Sequence, residues 1–387
     1  MTSAKRDLAR ARAPHERAAE ERAWAVVRTA YSERPAVVTR RSRWRLAVVP
    51  ALVMAIAGVA LSPAGATVGR LIRQALGVQH AARALFSLPA PGRLLVSGPG
   101  GSWTVASDGS SRRLGNWSQA SWSPRGLYVA VARGDRLAAL DPHGVVRWAL
   151  ARPSVSDPTW YAPSGFRVAY LSGHQLRVVA GDGTGDHQLA RTVARVPPAW
   201  RPGHAYELAY VDEHGTLVIR DADSRRMISA IHTGAVKALD WSADGNRLLA
   251  LSHKRARVYD PSGQLLSQAT APAGAPLIDG ALSPDGRRLA LVRAGVSQGV
   301  GVANLTSPTP KLRPALSGSG LQQAVWAPDG RWLLVSWPTA DQWVFIRVSG
   351  TPRIAAVSRI AKQFESGSHA IGPPHLDGWC CTAGAAR

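Results

Sequence analysis

The sequence predicts an all-β chain, a β-propeller of seven four-stranded antiparallel blades, from three observations. A phrase recurs about every 40 residues, an apolar run of strand length follows each recurrence, and tight-turn residues separate the runs. The phrase reads WSPRGLYVAVA from Trp122, WSADGNRLLAL from Trp241, LSPDGRRLALV from Leu282 and WAPDGRWLLVSW from Trp326. Alignment on the Trp place gives seven anchors, Leu88, Trp122, Tyr161, Trp200, Trp241, Leu282 and Trp326, spaced by 34 to 44 residues. A period of that length implies stacked supersecondary units that bury their apolar faces against one another. The first copy, LPAPGRLLVS, is the weakest because it lacks the aromatic, and the fourth, WRPGHAYELAY, has lost its Asp. Six blades is the alternative count.

Within each copy a short strand enters the anchor. Pro with Asp-Gly or Ser-Gly then turns the chain, since Pro presets φ and Gly tolerates positive φ. The second strand, as in RRLALV or NRLLAL, has little polar alternation and so is expected to be covered on both faces. A third strand follows, as in RLAALD, TLVIRD and ARVYDP, and a weaker fourth leads to the next anchor. The Trp anchors are expected to pack between blades, where a buried ring contributes a few kcal/mol, roughly 1.5–3 for a large apolar side chain.

These turns, with hairpins such as VVAGDGTGDHQLA (178–190), resemble the WD-repeat-like propellers of the TolB type found in bacterial envelopes. The stretch IHTGAVKALDWSADG with VYDPSG behind it is similar to the WD repeat itself, and the resemblance covers residues 84–364. It implies a fold, while function has to be read from a site. The GWCC ending also resembles that of propeller proteins from high-GC Gram-positive bacteria.

The chain has 387 residues and a formal net charge of +22. Of its basic residues only five are Lys, an Arg bias that points to a GC-rich genome and not to a nucleic-acid partner. The stretch from Leu46 to Gly69 carries no charge. Taken as 46–66 it reaches the ~30 Å needed to span a bilayer. Arg40, Arg41, Arg43 and Arg45 precede it, against Arg70 and Arg73 beyond, so the positive-inside rule keeps the N-terminus in the cytoplasm and places the propeller outside. Ala64-Gly65-Ala66 has the form of a signal-peptidase site, but a 45-residue leader is long for a signal peptide. The expected organisation is a basic leader with one helix (1–45), a transmembrane helix (46–66), a juxtamembrane helical connector (67–83), the propeller (84–364) and a C-terminal tail (365–387).

The leader carries +7, either as a solvated tail that sets topology or as a helix that docks on a partner, as in membrane-spanning regulators of sigma factors. The zinc motif His-x3-Cys-x2-Cys of many such regulators is absent from the sequence. The remaining +15 would draw the domain to anionic headgroups or wall polymers.

Catalytic signals are sparse. GVSQG (295–299) has the G-x-S-x-G spacing but falls between two strands of one repeat, where a nucleophile elbow needs a strand and then a helix. Asp182 and Asp186 read as turn residues ahead of calcium ligands, His232 as a structural hydrogen-bonding residue, and Asp157 and Asp240 as turn residues near the anchors. No phosphate loop and no H-E-x-x-H occurs. Cys380 and Cys381 are the only cysteines and are adjacent, leaving free thiols, a vicinal bridge or an intermolecular link, with a possible redox role. The expected function is a non-enzymatic binding or scaffold module with no cofactor and no metal, serving an envelope protein or anionic polymer. The alternatives are a transmembrane signal transducer and a propeller hydrolase.

Overall fold

The computed structural model describes residues 87–364, except Pro163 and Ala205, and residues 374–381. The expected leader, membrane span and juxtamembrane connector lie outside the described residues. Among those described, no helix is long and apolar enough to cross a membrane.

The described residues form seven four-stranded antiparallel sheets. The first sheet contains β1 (Arg93–Gly98), β2 (Gly101–Val105) and β3 (Ser111–Gly115). The second holds β4 (Gln119–Trp122), β5 (Val129–Arg133), β6 (Arg136–Leu140) and β7 (Val146–Ala151), and the third β8 (Val155–Trp160), β9 (Arg167–Ser172), β10 (Gln175–Ala180) and β11 (His187–Ala190). The fourth is made of β12 (Ala199–Trp200), β13 (Glu207–Val211), β14 (Thr216–Asp221) and β15 (Met227–His232). The fifth follows with β16 (Ala238–Trp241), β17 (Leu248–Leu251), β18 (Arg255–Tyr259) and β19 (Leu265–Thr270). The sixth has β20 (Leu277–Leu282), β21 (Arg288–Arg293), β22 (Gly299–Asn304) and β23 (Arg313–Ser317), and the seventh β24 (Gln323–Trp326), β25 (Trp332–Trp337), β26 (Gln342–Arg347) and β27 (Arg353–Ser358). After a one-turn helix, α1 (Ile360–Gln363), comes β28 (His375–Cys380).

That last strand corrects the expected boundary. Residues His375–Cys380 are not part of a tail: β28 pairs with β1 and supplies the innermost strand of the first sheet, in the order β28-β1-β2-β3. Without it the apolar β1, whose Leu94, Leu95 and Val96 are fully buried, would present a bare edge to the ring axis. Each inner strand touches the next, and β24 touches β28, which in turn touches β4, so the seven sheets close in a circle.

The register also moves two anchors. Trp122, Trp200, Trp241, Leu282 and Trp326 pair with Val129, Leu208, Leu248, Leu289 and Leu333. In the third sheet the equivalent place is held by Trp160, opposite Val168, and not by Tyr161. The turn there is one residue longer than in the second sheet, which shifted the alignment on its Pro and Gly. In the first sheet the place belongs to Trp379, opposite Leu94, while Leu88 is a buried residue ahead of β1.

The core is divided among the seams. The described apolar residues fall into seven clusters, each joining neighbouring sheets, as when Val292 and Val300 of the sixth meet Val335 and Val344 of the seventh. Second strands are buried almost throughout, β17 entirely, because both faces meet a neighbouring sheet. Outer strands such as β7 are largely exposed.

Polar clasps reinforce the seams. The indole N–H groups of Trp200, Trp241 and Trp326 donate to the carbonyls of Thr159, Ala199 and Ala281 in the preceding sheet, at 3.0, 3.1 and 3.0 Å. In the other direction Arg93, Arg201, Arg247 and Arg288 donate to the turn carbonyls of Gly126, Gly245, Gly286 and Gly330 in the next sheet, at 2.6 to 3.0 Å. The guanidiniums of Arg93, Arg201 and Arg288 lie over the rings of Trp122, Trp241 and Trp326, 4.9 to 5.7 Å from their centroids. The Arg and Gly of the recurring turn thus grip one another at four of the seven seams, so part of the Arg excess has a structural use.

Candidate functional site

The inner strands β4, β8, β16, β20, β24 and β28 bring together the polar side chains that line the axis. Asp157 and Asp240 sit on inner strands, not in turns as their place near the anchors suggested. With them come Gln119, Asp279, Gln323, His375 and Asp377. Most of these groups reach across a seam to a backbone N–H. Asp240 Oδ2 accepts from Leu282 N–H at 2.7 Å, and Asp279 Oδ2 from Ala324 N–H at 2.8 Å. Gln323 Oε1 accepts from Leu376 N–H at 2.9 Å, and Gln119 Oε1 from Asp157 N–H at 2.7 Å. Gln119 Nε2 donates back to Asp157 Oδ1 at 3.2 Å. Asp157 holds a left-handed φ of 54° within a bulge of β8, a conformation Asp tolerates better than most residues.

The carboxylates are partly accessible yet closely surrounded, as groups lining a narrow bore are. Burial pushes Asp240 up to about 7, helped by the like charge of Asp279 and opposed by the Leu282 N–H. Burial raises Asp279 as well, against the Ala324 N–H and the ammonium of Lys237. Asp377, whose side chain is 7% exposed, is also raised by burial, against the pull of His375 and Ser97. His375 moves up: burial opposes its charge, but the hydrogen bond and charge of Asp377 outweigh that cost.

Ser97, Asp377 and His375 are the residue types of an acyl-transfer triad, but the order is wrong. Ser97 Oγ donates to Asp377 Oδ1 at 2.9 Å, and His375 Nδ1 lies 3.4 Å from the same oxygen. The carboxylate therefore stands between the hydroxyl and the imidazole. On its other side His375 Nε2 receives the amide N–H of Gln323 at 2.6 Å. A nucleophile needs its base in direct hydrogen-bond reach, and here the base is occupied elsewhere. The arrangement ties β28 to β24 and β1; it does not activate Ser97.

The remaining sequence candidates separate. GVSQG forms a 3-10 turn, Gly295–Ser297, between β21 and β22, so no strand-to-helix elbow exists there. Asp182 caps its own turn, accepting from the Thr184 N–H and hydroxyl at 3.0 and 2.7 Å. Asp186 differs from expectation. It is the hub of a buried network, taking Arg177 and Arg152 at 2.7 Å each and the Tyr170 hydroxyl at 2.7 Å. Burial opposes its charge, but Arg177, Tyr170 and Arg152 hold its carboxyl below the usual range. His232 ends β15 on an exposed outer strand and makes no side-chain hydrogen bond among the described residues, so its expected structural role is not seen. Cys380 and Cys381 are joined by a disulfide at the end of β28. Cys381 Sγ lies 3.5 Å from the Pro124 carbonyl, in the first turn of the second sheet.

Sequence reasoning passed over Gln119, Asp279, Gln323, His375 and Asp377. A signal was present: Gln119, Asp157, Asp279 and Gln323 each stand three residues ahead of the ladder anchors Trp122, Trp160, Leu282 and Trp326. His375 and Asp377 carried none, since their strand lay in the presumed tail.

No protein-family model matches the sequence, and no curated protein matches it. The fold does match solved structures. The β-propeller domain of Cps50 (Swd1) from Myceliophteria thermophila is similar with a TM-score of 0.57 and 16% identity, covering 70% of this chain and 99% of that one. Kluyveromyces lactis Hsv2p gives 0.53 and 16%, covering 68% and 93%. A chain in a mitotic checkpoint complex gives 0.54 and 17%, covering 70% and 95%. The shared property is the β-propeller fold.

Proposed function

We propose that the chain is a non-enzymatic binding or scaffold propeller, held outside the cytoplasmic membrane by residues 46–66 and docking a protein partner of the cell envelope, in the manner of TolB-type propellers. One observation carries the docking part. Of eight large apolar side chains exposed among the described residues, seven lie at the end of the sheets that bears the first-to-second and third-to-fourth strand turns. Leu127, Tyr128, Val145, Val146 and Phe166 gather on the second and third sheets, and Met227 and Leu265 continue the arc on the fourth and fifth. The eighth, Val296, is at the opposite end. Exposed apolar groups collected on one face of a rigid body are the usual mark of a protein contact, whereas scattered ones carry no such meaning. The axial polar groups support the non-enzymatic part, because they are engaged in joining sheets. The chain in the mitotic checkpoint complex is likewise part of an assembly.

The test places a photo-crosslinking residue at Phe166 or at Val296 of the full chain in its native host. A single discrete envelope protein captured at Phe166, and none at Val296, is the expected outcome. Equal capture at both would reject the docking face. Protease added to spheroplasts should cleave the propeller; complete protection would reject the extracytoplasmic placement.

A further inference from the structure

The face opposite the apolar arc holds a cavity of about 640 Å³, bounded by the loop between β15 and β16 and by the turn between β17 and β18. Its volume suits a small ligand. Its wall is cationic: Lys237 from the loop, His253 and Lys254 from the turn, and Arg255 and Arg257 from β18. No acidic side chain lines it, and among the described residues none of these groups forms an ion pair. Among the described residues five Arg side chains elsewhere on the ring are ion-paired, to Asp141, Asp186, Asp223 and Glu207, whereas those lining this cavity are not.

Several of these groups are positioned. Arg257 donates through Nη1 to the Thr233 carbonyl at 3.0 Å and through Nε to Gln268 Oε1 at 3.1 Å, which fixes the guanidinium plane and leaves Nη2 uncommitted. Lys237 is half-buried and donates to the Ile278 carbonyl, with further donors available on its ammonium. Burial disfavours its charge, although Asp279 offsets this in part, so an anion in the cavity would relieve a desolvated cation. His253 Nδ1 lies 3.2 Å from the Leu277 carbonyl, which directs Nε2 away from that contact. Lys254 and Arg255 are exposed at the rim. The donor set is two guanidiniums and two ammoniums converging from two segments. A planar carboxylate would use one fork, whereas a phosphoryl group presents oxygens in several directions to both residue types.

We propose that this cavity is a binding site for a phosphoryl-bearing polyanion, separate from the protein-docking face and independent of it. The shared chemistry is a cluster of phosphoryl oxygens, borne by a soluble oligophosphate or by a phospholipid headgroup.

The experiment titrates pyrophosphate into the full chain in neutral detergent by calorimetry. Saturable 1:1 binding that weakens as salt rises is expected. Lys254→Ala with Arg255→Ala, both exposed where the turn meets the start of β18, should weaken it at least tenfold with an unchanged unfolding midpoint. Arg133→Ala with Arg136→Ala, the strand ends that flank the corresponding turn of the second sheet, should leave it unchanged. Equal affinity in the Lys254/Arg255 variant, or equal affinity for sulfate and pyrophosphate, would overturn the proposal. Vesicles of phosphatidylglycerol in phosphatidylcholine then assign the source. Binding that pyrophosphate displaces, and that the Lys254/Arg255 variant loses, makes the ligand a headgroup. Pyrophosphate binding without vesicle binding makes it soluble.

Discussion

Trp326 and Trp379 occupy the same ladder place in adjacent sheets and are buried alike, at 5% and 7% exposure, but their indole N–H groups differ. That of Trp326 donates to the Ala281 carbonyl at 3.0 Å; that of Trp379 has no partner among the described residues and rests beside Gly92, where a Cβ would lie 2.9 Å from it. The matched substitutions Trp326→Phe and Trp379→Phe should therefore diverge. Each loses roughly 1 kcal/mol of apolar burial, on a scale of about 0.8 kcal/mol per buried methylene. Trp326→Phe also loses a hydrogen bond contributing about 1 kcal/mol, for a total near 2. Trp379→Phe instead removes an unpartnered buried donor whose desolvation costs about 1–3 kcal/mol, which offsets the lost area and leaves stability near wild type. The expected gap is about 2 kcal/mol, read from urea midpoints at equal slope. If both variants lose the same stability, or if Trp379→Phe is the worse, the unequal hydrogen bonding of these rings does not govern the seams.

Two further outcomes follow from the axial groups and the closing strand. Because the folded pKa of Asp240 is raised above its unfolded value, its contribution to stability is full below about pH 4 and is lost as pH rises to about 7. Asp240→Asn, which keeps an acceptor for the Leu282 N–H, should match wild type in melting temperature near pH 4 and exceed it increasingly up to about pH 7; a constant difference across that range would contradict the assignment. Truncation after residue 364 removes Leu376, Asp377 and Trp379 and should yield aggregated or oligomeric protein by size exclusion, whereas truncation after residue 381 should stay monodisperse in the same detergent.

The number of sheets, the strand order within six of them and the burial of second strands were legible because one turn chemistry is repeated and one apolar run follows it. Where the chemistry changed, the reading slipped. Tyr161 drew the anchor away from Trp160 because the turn gained a residue, and Leu88 stood in for Trp379 because Pro91 and Gly92 preserve the turn while the paired strand lies nearly 300 residues away. No local pattern reports a partner at that distance. Asp240 was misread for a related reason: Asp favours turns in isolation, and only the circle of inner strands gives its carboxylate a backbone N–H from the next sheet. Asp186 likewise became a hub only when Arg152, 34 residues earlier, was brought beside it.

Pairing β28 with β1, nearly 300 residues apart, imposes an order of events on biosynthesis. Six sheets can be completed as their residues emerge, but the one begun earliest must wait, with one edge unpaired, for β28. Any codon change or stalling sequence that delays β28 lengthens the time that edge is open to a wrong partner.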